Sequence, residues 1–188
     1  MDDATAVDVR IVADGDFGVV VAEHLRSLLA MAGRPARVAR EPALEFAAGG
    51  GFGVRASWRD LPVEFEAFAE AARPAPWLPI AMASPYIRVG PVFVHGRAPC
   101  HTCYRSRVRQ HESLVEEEIR GRLAVNPRLG VRGFSPHHCM IAAGLALALM
   151  DGGEHGAVAA VDCRTDEVTP WRVVPAERCP GCDEGAGR

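Results

Sequence analysis

The sequence predicts an α/β fold: a Rossmann-like, mostly parallel sheet that ends in a C-terminal hairpin and carries a four-cysteine zinc site. Three observations lead there. Apolar alternation at Val7, Val9, Ile11 and Ala13 gives way, after a glycine turn, to helical spacing at Val21, Leu25, Leu28, Leu29 and Ala32, the strand–turn–helix opening of a doubly wound sheet. Two alternating stretches near the end, 157–163 and 168–174, flank the turn sequence Arg164-Thr165-Asp166-Glu167 and read as a hairpin. Between and after these lie two CxxC turns, Cys100-His-Thr-Cys103 and Cys179-Pro-Gly-Cys182. Two thiolates three residues apart can face one cation, and a second such turn completes a tetrahedral all-sulfur cage suited to Zn²⁺, a d¹⁰ ion without a ligand-field preference. A disulfide or a redox CxxC explains one pair equally well; two pairs favour structural zinc. Four thiolates leave no open coordination position, so the ion is expected to clamp the fold and take no part in chemistry.

The 188 residues suit a single domain, 1–188, and a net charge of −3 with no lysine anywhere argues against a nucleic-acid footprint. No apolar run is long enough to span a membrane, and the acidic start Met1-Asp-Asp lacks a signal core. Six cysteines without a secretion signal fit a reducing, cytoplasmic setting.

Taken in order, the first strand ends in Asp14-Gly15-Asp16-Phe17-Gly18, a dinucleotide-type glycine turn whose first glycine is replaced by Ala13. Asp14 and Asp16 place carboxylates where a phosphate needs N–H groups and positive potential, so a helix-packing turn is favoured over a nucleotide site at Gly15 and Gly18. Gly33 stops the first helix and residues 36–40 return as a parallel strand. The glycine-rich stretch 47–53 reads as a connector, with Phe52, Val54 and Ala56 entering the next strand and Trp58 just beyond it. Val63, Phe65, Phe68, Ala69 and Ala72 follow the helical period until Pro74 and Pro76 end it. A buried strand over 77–83 precedes a second over 86–94, bent or broken at Gly90-Pro91. One helix is expected over 104–123, with Val108, Val115, Ile119 and Leu123 on one side and its Arg and Glu residues forming a solvated face or, less simply, an arginine patch for an acidic partner.

The pattern breaks over 126–133 and restarts at Ser135-Pro136, an N-cap followed by a first-turn proline. From 139 to 150 this helix is apolar almost throughout and should be the most buried one. His137, His138 and Cys139 tempt a metal reading, but neighbouring helical positions diverge by about 100°, so convergence on one ion is not expected. Cys163 is most simply a small buried side chain.

The stretch from Gly90-Pro-Val-Phe-Val through Arg97-Ala-Pro-Cys100 to Cys103, with the ending Val174-Pro-Ala-Glu-Arg-Cys-Pro-Gly-Cys182, resembles the two zinc loops of the ubiquitin-activating, ThiF/MoeB-like superfamily. The Gly-Pro start, the Arg-Ala-Pro-Cys approach and the Ala/Leu-rich helix are most similar to the ThiF-like proteins of azoline peptide biosynthesis, over about 7–182. That resemblance implies a partner of a YcaO-type cyclodehydratase that helps to present the precursor peptide. Catalytic members of the superfamily adenylate a carboxyl terminus with ATP, using a glycine-rich loop, a Lys and a Mg²⁺-binding Asp; here the loop is altered and Lys is absent, so no catalytic residue is assigned. The N-terminal winged-helix module that such proteins carry is expected to be missing, since the first strand begins near Val7.

Three functions follow as expectations: a non-catalytic cyclodehydratase partner, a divergent adenylating enzyme, and a zinc-stabilised oligomeric scaffold. For docking, or for a homodimer, the expected surface is the outer side of the apolar helix at Ile141, Leu145, Leu149 and Met150, with Trp58 and Trp77 as further anchors.

Overall fold

The computed structural model describes residues 8–40, 51–126 and 133–183. Val7, the first part of the 47–53 connector and most of the 126–133 break lie outside them. The order is β1 (Val9–Asp14), α1 (Gly15–Met31), β2 (Ala36–Arg40), β3 (Phe52–Ser57), α2 (Pro62–Ala71), β4 (Trp77–Ala83), β5 (Tyr86–Val89), α3 (His101–His111), α4 (Leu114–Val125), α5 (Pro136–Gly152), β6 (Ala157–Asp162), β7 (Val168–Arg172) and α6 (Pro180–Asp183). The strands form one seven-stranded sheet in the order β2-β1-β3-β4-β5-β6-β7. β2, β1, β3 and β4 pair in parallel; β5, β6 and β7 add antiparallel ladders, so β6 again runs with the parallel set. The mostly parallel sheet and the terminal hairpin are as the sequence predicts.

Strand alternation divides the apolar residues between two helical layers. Val9, Ile11, Val54, Leu78, Ile80, Ile87 and Val161 face α1 and α5, where Phe17, Val21, Leu25, Leu29, Cys139 and Ala142 meet them. Val12, Trp77, Ala81 and Val158 face the other way, onto Phe65 and Phe68 of α2 and Tyr104 and Val108 of α3. No helix among the described residues is long and apolar enough to cross a membrane.

The structure departs from two expectations and bears out a third between them. The single helix over 104–123 is two: Glu112 takes an extended conformation (φ −81°, ψ 133°), and α4 restarts after Ser113, whose carbonyl accepts from Glu117 N–H. A serine at a helix start outweighs the continuing apolar period. Val108 is buried on α3, whereas Val115 and Ile119 of α4 are exposed. As expected, the strand after Tyr86 breaks at Gly90-Pro91: it stops at Val89, because Gly90 turns at φ +89° and Pro91 has no N–H for a ladder, and a single bridge, Trp77 with Phe93, continues it. Lastly, α5 buries a stripe of small residues, Cys139, Ala142, Ala143 and Ala146, which lets it lie close to α1. Ile141, Leu145, Leu149 and Met150 are partly buried against the same core, and Trp77 is buried, so the expected docking face is only partly open.

Candidate metal centre

β5 and β7 both run back to the edge where the parallel strands begin, and each is followed by one CxxC turn. Cys100 caps α3 in an extended conformation, which places Cys103 one turn later in that helix. Arg178, at φ 51°, turns the chain into Cys179, and Cys182 lies on the short α6. Sγ–Sγ distances are 3.9 Å for Cys100–Cys103, 3.6 Å for Cys100–Cys179 and 3.4 Å for Cys103–Cys182. A tetrahedron of thiolates around an ion with bonds of about 2.3 Å has edges of about 3.8 Å. All four cysteines are unbridged, and their sulfurs lie within 4.8 Å of one another. The four predicted ligands therefore form one group that could hold a metal ion.

The surroundings favour sulfur as an anion at one ligand above all. Burial pushes the Cys103 thiol up, but the Ala176 N–H, donated at 3.3 Å, and the neighbouring thiols outweigh it and bring the group down to about 7. Burial and crowding by the other thiols push Cys179 and Cys182 up. Two such groups beside a thiolate are what a divalent cation relieves, since the ligands must shed their protons to bind it. Gly181 has a geometric role: a Cβ there would lie 3.0 Å from Cys100 Sγ and 2.9 Å from Thr102 Oγ1. Arg107 ties the two turns together, donating to the carbonyls of Val174 at 3.2 Å and Pro175 at 3.0 Å. Burial, then Arg105, pushes the His101 imidazole down to about 4, so it is a neutral member of the aromatic cluster with Trp77, Phe93 and Tyr104.

The glycine turn sits at the opposite edge, where the parallel strands end. Gly15 has φ +67°, and a Cβ there would lie 2.2 Å from Trp58 Cδ1: the indole lies directly on the turn. Arg59 stacks over the same indole at 5.0 Å and is ion-paired to Glu64. Ser57 Oγ donates to Asp14 Oδ2 at 3.1 Å. Gly18 serves packing, since a Cβ would come 2.4 Å from the backbone oxygen of Ala56 on β3. Gly18→Ala is expected to cost about 1–3 kcal/mol in urea unfolding, because backbone must move to admit the methyl, while bound metal is unchanged. An unfolding midpoint equal to that of the unaltered protein would contradict this account of Gly18.

Residue spacing does not announce two further groups. Asp60, 10% exposed, holds Arg105 Nη1 at 2.9 Å and Arg88 Nη1 at 3.3 Å, joining the loop before α2 to α3 and β5. Such a pairing of distant charges leaves no local signal in the chain. His137 and His138, expected to diverge, instead converge on Asp166 of the β6–β7 turn, each with Nε2 2.8 Å from Asp166 Oδ1. Both sit in the first turn of α5, and imidazole is long enough to swing past the end of the helix. Cys139 points into the core.

No protein-family model and no curated protein sequence matches the chain. Solved structures do. The chain superposes over 94% of its length on a heterocyclase in complex with substrate and cofactor, with a TM-score of 0.66 and 15% identity, covering 26% of that protein. It superposes over 95% of its length on a chain of the E. coli microcin synthetase McbBCD complex, at TM-score 0.68 and 9% identity, covering 70% of it. E. coli MccB solved with ATP matches over 94% of the chain at TM-score 0.60 and 11% identity, covering 67% of MccB. At these identities the likeness is one of fold. The chain spans about a quarter of the heterocyclase and about two thirds of MccB.

Proposed function

We propose that this chain is a non-catalytic partner of a YcaO-type cyclodehydratase in the making of azoline-modified peptides, held in shape by Zn²⁺ at Cys100, Cys103, Cys179 and Cys182. The carrying observation is the turn at Gly15: it keeps the strand–turn–helix form of a nucleotide site while Trp58 fills the space above it. With Asp14 and Asp16 at the same turn and no lysine in the sequence, the residues supply little for a triphosphate to bind. The fold likeness to a heterocyclase and to a microcin synthetase component supports the pathway; the likeness to MccB with ATP is the basis of the competing reading, an adenylating enzyme.

α4 supplies the docking surface. Leu114, Val115 and Val125 are 85%, 64% and 86% exposed, and Ile119 is half exposed. A helix of 12 residues with Gly121 inside it is marginal in water without apolar cover, and a partner protein provides that cover. Four thiolates in a closed cage suit a structural ion, and Zn²⁺ is the divalent ion that best matches an all-sulfur tetrahedron.

The test is co-expression of the full chain with a YcaO-type cyclodehydratase and its precursor peptide. The chain should co-purify with the enzyme and accelerate dehydration of the peptide, read by mass spectrometry. Ile119→Glu should weaken co-purification at least about tenfold while circular dichroism and zinc content stay unchanged. Pyrophosphate exchange by the isolated chain with a peptide carboxylate would overturn the non-catalytic reading, and failure to co-purify would overturn the partnership.

A further inference from the structure

We propose that His137, His138 and Asp166 form a second, open metal site for a borderline divalent ion of the Zn²⁺ or Ni²⁺ type, at the edge of the sheet opposite the four cysteines. The two imidazole rings lie 4.1 Å apart, centroid to centroid, and both Nε2 atoms are 2.8 Å from the same carboxylate oxygen. His138 is buried, whereas the side chains of His137 and Asp166 are 55% and 57% exposed, so an ion has a path in and two of its three ligands can adjust. Bonds of about 2.0–2.1 Å to each ligand set ligand atoms about 3.0–3.4 Å apart, so each Nε2–Oδ1 spacing has to open by only a few tenths of an ångström.

The far side of the two rings carries the argument. Ser135 Oγ lies 2.6 Å from His137 Nδ1 and 3.2 Å from His138 Nδ1. The capping box already directs the His138 backbone N–H at this hydroxyl, which leaves one lone pair to accept the Nδ1–H of His137. In that tautomer the His137 Nε2 lone pair faces Asp166 and its ring is fixed from behind, as outer partners do at metal sites. Without metal, Ser135 N–H donates to His138 Nδ1 at 3.1 Å, which puts the ring proton on Nε2, where it faces Asp166. Binding therefore exchanges that tautomer for the Nδ1–H form and gives up the Ser135 N–H bond to the ring.

The donor set also selects the ion. The N-terminal end of the 17-residue α5 carries partial positive charge, and a single carboxylate opposes it, so Ca²⁺ or Mg²⁺, held by charge and oxygen alone, gain little here. Two imidazoles favour Zn²⁺, Ni²⁺ or Cu²⁺. Three protein ligands leave coordination positions open, which distinguishes this site from the closed cysteine cage.

The test uses the full chain with its cysteine centre already loaded with zinc. Titration with Ni²⁺, followed by calorimetry, should show one further equivalent. His137→Ala and Asp166→Asn should each weaken it by more than about tenfold without altering zinc content or melting temperature. Asn is chosen because Asp166 sits at φ 61°, which Asn tolerates. Nitrogen-15 NMR of the imidazoles should show the His138 proton moving from Nε2 to Nδ1 as Ni²⁺, or diamagnetic Zn²⁺, is added. Absence of a further equivalent, or one that survives both substitutions, overturns the site.

Discussion

Cys100→Ser and Cys179→Ser are each expected to abolish metal binding and cooperative folding together. The serine hydroxyl does not replace a thiolate for a zinc-type ion, and three remaining sulfurs do not close the cage. Structural sites of this kind hold roughly 10–16 kcal/mol of coupled folding energy, against a total domain stability of about 5–15 kcal/mol, so the loss of one ligand exceeds what the rest of the fold can supply. The C-terminal segment makes the effect larger: Val174 is 61% exposed, and the turn at Cys179 is joined to the body through Cys100, Cys103 and the Arg107 bonds. Elemental analysis of protein purified without chelator should give one zinc per chain before substitution and none after. A metal-free variant that melts at the original temperature would contradict a structural role.

The second large effect is expected at Asp60→Ala. Asp60 is the shared carboxylate of Arg88 and Arg105, whose side chains are 19% and 5% exposed. Removing it leaves Arg105 charged, buried and without its ion-pair partner, and stranding a buried charge in this way costs about 3–5 kcal/mol. The loss should appear in urea unfolding with the metal still bound, which separates it from the cysteine variants. Burial, and next the Asp60 charge, also pushes the Tyr104 hydroxyl up to about 12; without Asp60, the Tyr104 step of a tyrosine titration followed by absorbance should move to lower pH. A loss below about 1 kcal/mol would mean that the arginines find water or other acceptors at once.

What the sequence discloses here divides along a physical line. Local spacing reveals β1, α1, β3, β4, the β6–β7 hairpin and the cysteine ligands, because each depends on periodicity or on two residues a fixed step apart. The break at Ser113 escapes such a reading because an apolar period runs straight through a capping residue. Periodicity also overstates the burial of α5, since it counts apolar residues and does not show which of them a neighbouring helix admits; the small residues at 142, 143 and 146 are the ones α1 allows inside. Asp60 with its two arginines, and Asp166 with its two histidines, join residues that only the finished sheet brings together. The role of Trp58 belongs with these: it follows β3, and parallel pairing of β3 with β1 carries it over Gly15.

The four cysteines and the glycine turn occupy opposite rims of the sheet, and that separation has an evolutionary meaning. The cysteine anchorage makes no contact with the rim where ligands of such sheets bind, so side chains there, Trp58 among them, can be exchanged without touching the four sulfurs. A lineage can then alter the turn rim and the cysteine rim independently. A change at Gly15 falls on Trp58 and the turn itself, whereas a change at Cys100 is expected to reach the whole chain.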